Sequence, residues 1–321
     1  KICCTKHLVD FMTQKAIDYL GNRTQGSKPF FLTVALDGPY LDPPSSLGPD
    51  VKNRFYNYYW HQHDFSKWPR EGINENILGQ VTGSIPSYAD KFGMGNFVEQ
   101  MRQMNDAQSL ANMQAQIKIV DDNFGKFLSA LKKTGLDNNT LVLYTSDQAN
   151  FIGNHGRFGH AAYTIPSTLQ EEATVKVPFL VRQPGVTPKN VTTDMLTSEY
   201  DVPATIMDYA GFPGVTFDHS PGHSFAAFLK TGKPIANWTK AVYYEQGETR
   251  GVSTKDYALW KRVNATNLNQ GNDTINETPS GYGYFGVVKP KFWVNALFDL
   301  RTDPHQKVNL YNDPRYSQVQ N

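Results

Sequence analysis

Three apolar runs in this chain lack the polar alternation of a half-exposed strand: KPFFLTVAL at 28–36, LVLYTS at 141–146 and VPFLVRQPG at 177–185. Runs of this kind, bounded by turn residues, suit strands buried on both faces. Such strands need helices to cover them, and the sequence between them supplies helical patterns, which implies a layered α/β fold.

Over residues 5–20, Leu8, Phe11, Met12, Ala16, Tyr19 and Leu20 recur at spacings of three and four, with Thr5 placed to cap the start and Gly21 the end. From 106 to 133, Leu110, Met113, Ile117, Val120, Phe124, Phe127 and Leu131 do the same and predict a long core-facing helix. GLDNNT then turns the chain toward the second strand. EYDVPATIMDYAG, beginning at 199, predicts a shorter helix with Pro203 near its first turn and Gly211 ending it. Beyond about residue 235 the pattern shifts to KAVYYEQ, YALWKRV and KFWVNALFDL, short strands without long helices between them. The expected division is a catalytic-type α/β portion over 1–235 and a small antiparallel-sheet subdomain over 236–321. Residues 37–105, rich in Pro, Gly, Asn and aromatics, read as a long irregular excursion of the kind that builds substrate pockets in α/β enzymes.

A net charge of +1 over 321 residues gives no basic field for nucleic acid. No apolar run approaches the roughly 18 residues of a membrane span. The first residues, KICCTKHLVDF, carry neither an initiator Met nor a signal-peptide pattern, so the expected biological start lies upstream. Cys3 and Cys4 are adjacent, a spacing that resists the dihedral of a relaxed disulfide. Seven Asn-x-Ser/Thr triplets, at Asn22, Asn138, Asn190, Asn237, Asn264, Asn272 and Asn276, point to a secreted or lumenal glycoprotein, extracellular or lysosome-like.

The second apolar run leads directly into DQANFIGNHGRFGH. In an open α/β sheet, ligands bind beyond the carboxyl ends of the strands, where Asp147 and Gln148 fall. A charged carboxylate beside a neutral amide oxygen suits a hard cation such as Ca²⁺. A turn or helix cap is the alternative for an Asp at such a place. His61 and His63 in WHQHD stand two apart, but no third ligand is near them in the sequence, so they read as part of an aromatic-rich surface loop.

Four segments, IKIVDDNFGKFLSALKKTGLDNNTLVLYTSDQANFIGNHG, VKVPFLVRQPG, SEYDVPATIMDYAGFPG and ALFDLRTDPHQKVNLYNDP, resemble in order and spacing the second half of the sulfatase family of the alkaline-phosphatase superfamily. The resemblance implies an α/β/α sandwich with a mostly parallel mixed sheet, plus a small α+β C-terminal subdomain. It implies hydrolysis of a sulfated small molecule or glycan, with a Ca²⁺ ion and a formylglycine nucleophile made from Cys or Ser. It places Asp147 and Gln148 on the metal, Gln148 standing where the family usually has Asn or His. Tyr40, in DGPYLDPP, takes the place of a usual His. His160, thirteen residues after Asp147, takes that of a usual Lys, and His155 matches a His common in the family. Lys176 and Arg182 match frequent basic positions and are read as structural.

The family's nucleophile motif, Cys or Ser followed by x-Pro-Ser-Arg, does not occur in the sequence, and CCTKH lacks its Pro and Arg. The expectation is therefore that the nucleophile and the remaining acidic metal ligands belong to an upstream segment or partner fragment. The rival expectation is a sulfatase fold kept as a binding or structural glycoprotein. A phosphodiesterase or phosphonate hydrolase of the same superfamily would share the metal logic.

Overall fold

The computed structural model describes residues 7–23, 28–36, 38–39, 53–56, 107–149, 151–152, 158–159, 175–246, 249–262 and 295–320. The chain divides into two compact units. One takes Lys1–Thr140, Gln148–Ile165 and Thr274–Val288, and the other Leu141–Asp147, Pro166–Asp273 and Lys289–Asn321.

The first unit is built on two packed helices, α1 (Leu8–Gly21) and α2 (Ala107–Lys133). Thr5 lies outside the described residues, and α1 starts instead at His7, whose Nδ1 accepts from the Val9 N–H at 3.3 Å. The buried face of α1 is Val9, Thr13, Ala16 and Leu20, rotated by about one residue from the stripe read in the sequence. Leu8 is exposed, as is Ile117 of the α2 stripe.

A polar clasp fixes that rotation. The Asn123 amide, 2% exposed, donates to Asp10 Oδ1 and to the Ile119 carbonyl, both at 2.8 Å. Arg54 Nη1 reaches both oxygens of Asp10 at 3.1 and 2.9 Å, and its Nη2 pairs with Asp122, which also holds Lys126 at 2.8 Å. Partial burial would raise the Asp10 carboxyl, but the hydrogen bonds from Asn123 and Arg54 and the charges of Arg54 and Lys126 outweigh it and hold Asp10 below the usual carboxylate range. Asp122 is likewise lowered, chiefly by its bond to Lys126.

Residues 28–36 follow α1, and their burial alternates with the period of a strand: Phe30, Leu32, Val34 and Leu36 are half-buried, while Phe31 is 75% exposed. The expectation of burial on both faces is thus not met among the described residues, because nothing in them covers the Phe31 side. Arg23 stacks on the rings of Tyr19 and Phe30 and ties this run to the end of α1. A short antiparallel pair, β2 (Phe151–Ile152) with β3 (Phe158–Gly159), also belongs to this unit.

In the second unit β1 (Val142–Tyr144) pairs with β4 (Leu180–Arg182). The register matches Val142 with Arg182 and Tyr144 with Leu180, antiparallel. The α/β class holds. The ladders among the described residues are all antiparallel, and the expected parallel pairing is not among them. Thirty-odd residues separate the two strands, so packing rather than a tight turn sets their direction. Leu180 is 59% exposed, so β4 also lacks the two-sided cover its sequence suggests.

Helix α3 (Asp201–Tyr209) ends as the sequence predicts. Gly211 takes φ 93°, its N–H reaching the Asp208 carbonyl at 3.1 Å and the Phe212 N–H reaching Met207 at 2.9 Å, a Schellman stop. Gly135 closes α2 in the same way, with bonds to Lys132 and Leu131. Asp201, 3% exposed, accepts from the backbone N–H of Ser198 at 2.8 Å and of His223 at 2.9 Å. Thr205 accepts from Phe225 N–H at 3.0 Å, and Ser224 donates to Asp208 at 2.6 Å. These bonds strap residues 220–225 along α3 and start helix α4 (Ala226–Thr231), while Phe225 meets Phe179 edge to face at 5.7 Å, just before β4.

Four antiparallel strands, β5 (Val242–Gln246), β6 (Thr249–Ser253), β7 (Tyr257–Arg262) and β8 (Ala296–Asp299), form a meander in chain order. Its core alternates large and small partners. Trp260 stands opposite Gly251 on one side and Ala296 on the other, and Phe298 stands opposite Ala258. The small partners leave room for the Trp260 and Phe298 rings to meet at 5.0 Å.

Two outcomes are expected from this packing. A Cβ on Gly222 would lie 1.9 Å from the Tyr200 carbonyl oxygen, so Gly222→Ala should cost on the order of 3 kcal/mol in urea unfolding, against about 1–3 kcal/mol for Asp201→Asn, which keeps one of its two acceptors. Equal midpoints for Gly222→Ala and the parent would refute the strap. Since the folded-state values of Asp10 and Asp122 are depressed, their contribution is present above the ordinary carboxylate range and is lost as pH falls through it. The unfolding midpoint should therefore drop from about pH 5 to about pH 3, and less steeply in Asp10→Asn.

Candidate functional site

The strand β1 supplies the support for the loop that follows it. Its three residues are held by β4, and the chain leaves the ladder at Tyr144 to place Asp147 and Gln148 within four residues of the strand end. Both side chains are exposed. Ser146 Oγ donates to Asp147 Oδ1 at 3.5 Å. The boundary between the two units falls at the peptide bond joining Asp147 to Gln148.

Within the second unit, the Asp147 charge is felt by a residue that the sequence did not single out. The Glu199 carboxyl is held above the usual carboxylate range, first by partial desolvation and then by the negative charge of Asp147. Glu199 is placed by the turn before α3: the Val202 N–H bonds its carbonyl at 3.1 Å, and Asp201 anchors the same turn through Ser198 and His223. In SEYDVPAT an acid just ahead of a helix looks like an ordinary first-turn charge, so nothing in the local sequence marks it.

Two like-charged carboxylates in Coulombic reach of each other form an unfavourable pair, and a bound divalent cation would relieve it. Within the second unit Asp147 and Glu199 offer carboxylate oxygens, the donor type that a hard cation such as Ca²⁺ takes. Among the described residues no group of three His, Cys, Asp or Glu is gathered to hold an ion. In kind, these oxygens match what Ca²⁺ takes.

Tyr40, His155 and His160 lie outside the described residues, as do His61, His63, Cys3 and Cys4. Of the basic positions, Lys176 is exposed just after residue 175 and Arg182 is half-buried on β4 opposite Val142. Neither is free, each having a partner of its own.

Residues 3–212 match the family model described as Sulfatase. The multifunctional alkaline phosphatase superfamily protein PehA of Trinickia caryophylli is 27% identical over 96% of this chain and 56% of its own length. The N-acetylglucosamine-6-O-sulfatase of Bacteroides thetaiotaomicron is 24% identical over 98% of this chain and 61% of its own. The chain thus spans somewhat over half the length of these curated relatives. A solved protein in complex with its substrate D-glucosamine-2-N,6-O-disulfate shares the fold, with a TM-score of 0.63 and 22% identity over 98% of this chain and 67% of that one.

The proximity of Asp147 to Glu199 can be read directly. Because the native state holds the Glu199 proton longer than the unfolded chain, this carboxyl detracts from stability as pH rises through its elevated range. Asp147→Asn should bring the Glu199 titration down toward the ordinary carboxylate value, followed by carboxyl-selective NMR. A Glu199 curve that does not move would separate the two residues.

Proposed function

We propose, on the premise that the chain belongs to the sulfatase family, that it forms the larger part of a Ca²⁺-dependent hydrolase of sulfate esters. The observation that carries this reading is the exposed Asp147–Gln148 pair at the end of β1, inside the matched family region. The relative that acts as an N-acetylglucosamine-6-O-sulfatase and the fold neighbour bound to a disulfated glucosamine make a sulfated amino sugar the first substrate class to test.

Ca²⁺, when bound, supplies charge that offsets the negative sulfuryl oxygens. Asp147 would hold it by a carboxylate oxygen and Gln148 by its amide carbonyl. Glu199, near Asp147, adds negative charge to the same neighbourhood and so favours cation over anion there. His160 is assigned to the sulfate, where a protonated imidazole would donate to an ester oxygen. Tyr40 is assigned a neutral hydrogen bond to the sulfate, since a phenol with a pKa of about 10 is a poor proton shuttle at neutral pH. His155 is assigned to support the loop or donate to the sulfate. The nucleophile, a formylglycine in x-Pro-Ser-Arg context, is assigned to a segment other than these 321 residues. The seven sequons support a secreted or lumenal setting.

One observation favours a second reading. Tyr40 and His160 replace two usual basic positions together, as a fold retained for binding without catalysis would tolerate.

The pH profile separates the two. An imidazole with an unperturbed pKa of about 6.5 is charged only in acid, and a bound sulfate raises that value by favouring the charged form. With the nucleophile-bearing segment present and modified, aryl sulfate hydrolysis should fall as pH rises from about 4 to about 8. His160→Lys should flatten the alkaline limb, and His160→Ala should lower turnover most in acid. Identical profiles would remove His160 from the mechanism, and inactivity of all three proteins would establish the non-catalytic reading.

A further inference from the structure

Two of the seven sequons share a backbone conformation. Asn190 and Asn237 both take the left-handed region, at φ 57° and 56°, and both are exposed at the corner of a turn. The two turns belong to neighbouring stretches of the second unit. A Cβ on Gly232 would meet Pro188 Cγ at 3.0 Å and Val191 Cγ2 at 3.8 Å, so the Asn190 turn lies against the residue that ends α4. Trp238, directly after Asn237, donates its indole N–H to the Leu196 carbonyl at 2.6 Å and meets His223 edge to face at 6.3 Å. Segments 188–196 and 232–238 are therefore fastened side by side, with Trp238 turned toward the protein and Asn237 toward solvent.

Left-handed corners favour Asn for steric reasons alone, so the asparagines by themselves mark nothing. The threonines two residues later are what the turns do not require. Among the described residues the Thr192 hydroxyl has no hydrogen bond, and Thr239 bonds only the Ala241 carbonyl two residues on, at 3.1 Å.

We propose that Asn190 and Asn237 are paired N-glycosylation sites. In the transfer, the Asn Nδ2–sugar C1 bond forms as the C1–oxygen bond to a lipid-pyrophosphate donor breaks, and the amide proton leaves with the pyrophosphate. The inference rests on the secreted or lumenal reading and is independent of sulfate hydrolysis, which has its own assay.

The native protein would be treated with peptide-N-glycosidase in ¹⁸O-water and mapped by mass spectrometry, since an occupied Asn becomes ¹⁸O-labelled Asp. Label is expected in the peptides containing Asn190 and Asn237. In the full chain passed through a eukaryotic secretory pathway, Thr192→Ala and Thr239→Ala should each remove one glycan and the double variant two, while both asparagines and their turns stay in place. An unlabelled Asn190 or Asn237 in a protein labelled at another sequon would overturn the pairing. No label at any sequon would overturn it together with the lumenal reading, leaving sulfate hydrolysis to be judged separately.

Discussion

The carboxylate of Asp201 is the contact from which the second unit takes its order. A charge this deeply buried is tolerated only where fixed donors replace water, and here two backbone N–H groups do so, from Ser198 before α3 and His223 after it. The same helix offers Thr205 and Asp208 to Phe225 and Ser224, so one face of α3 carries a row of polar contacts along the 220–225 strap. Gly222 lets that strap approach the Tyr200 carbonyl more closely than any side chain would allow. Glu199 is two residues from this anchor, in the turn that it fixes.

The chemistry of the candidate site is correspondingly economical. A short antiparallel pair carries Asp147, and the turn ahead of α3 carries Glu199. Neither side chain has a role in the core, and each lies on a connection whose ends are fixed by regular structure, the usual division of labour between scaffold and loop in α/β enzymes. Both carboxylates are exposed, and the Asp147 charge adds to partial desolvation in holding the Glu199 carboxyl above its ordinary range.

Much of this was legible in the sequence where the signal is local. Gly135 and Gly211 announce the ends of their helices because only a residue tolerant of positive φ completes the stop. The meander was legible from short β-rich runs, and its Trp260–Gly251 and Phe298–Ala258 partners explain why those runs mix large and small residues. The buried face of α1 was not, because it is selected by Arg54 and Asn123, far away in sequence, rather than by the spacing of Phe11 and Met12. Glu199 escaped for the same reason: its significance depends on Asp147, fifty residues earlier. Apolar runs likewise announce strands without stating what covers them, as Phe31 and Leu180 show.

The Arg54 clasp has a topological consequence. The chain between the end of α1 and the start of α2 runs from 22 to 106, and Arg54 pins it to both helices through Asp10 and Asp122. A single guanidinium therefore bridges carboxylates from two helices that are distant in the chain, and the pairing of α1 with α2 carries a charge-specific register that apolar packing alone does not set.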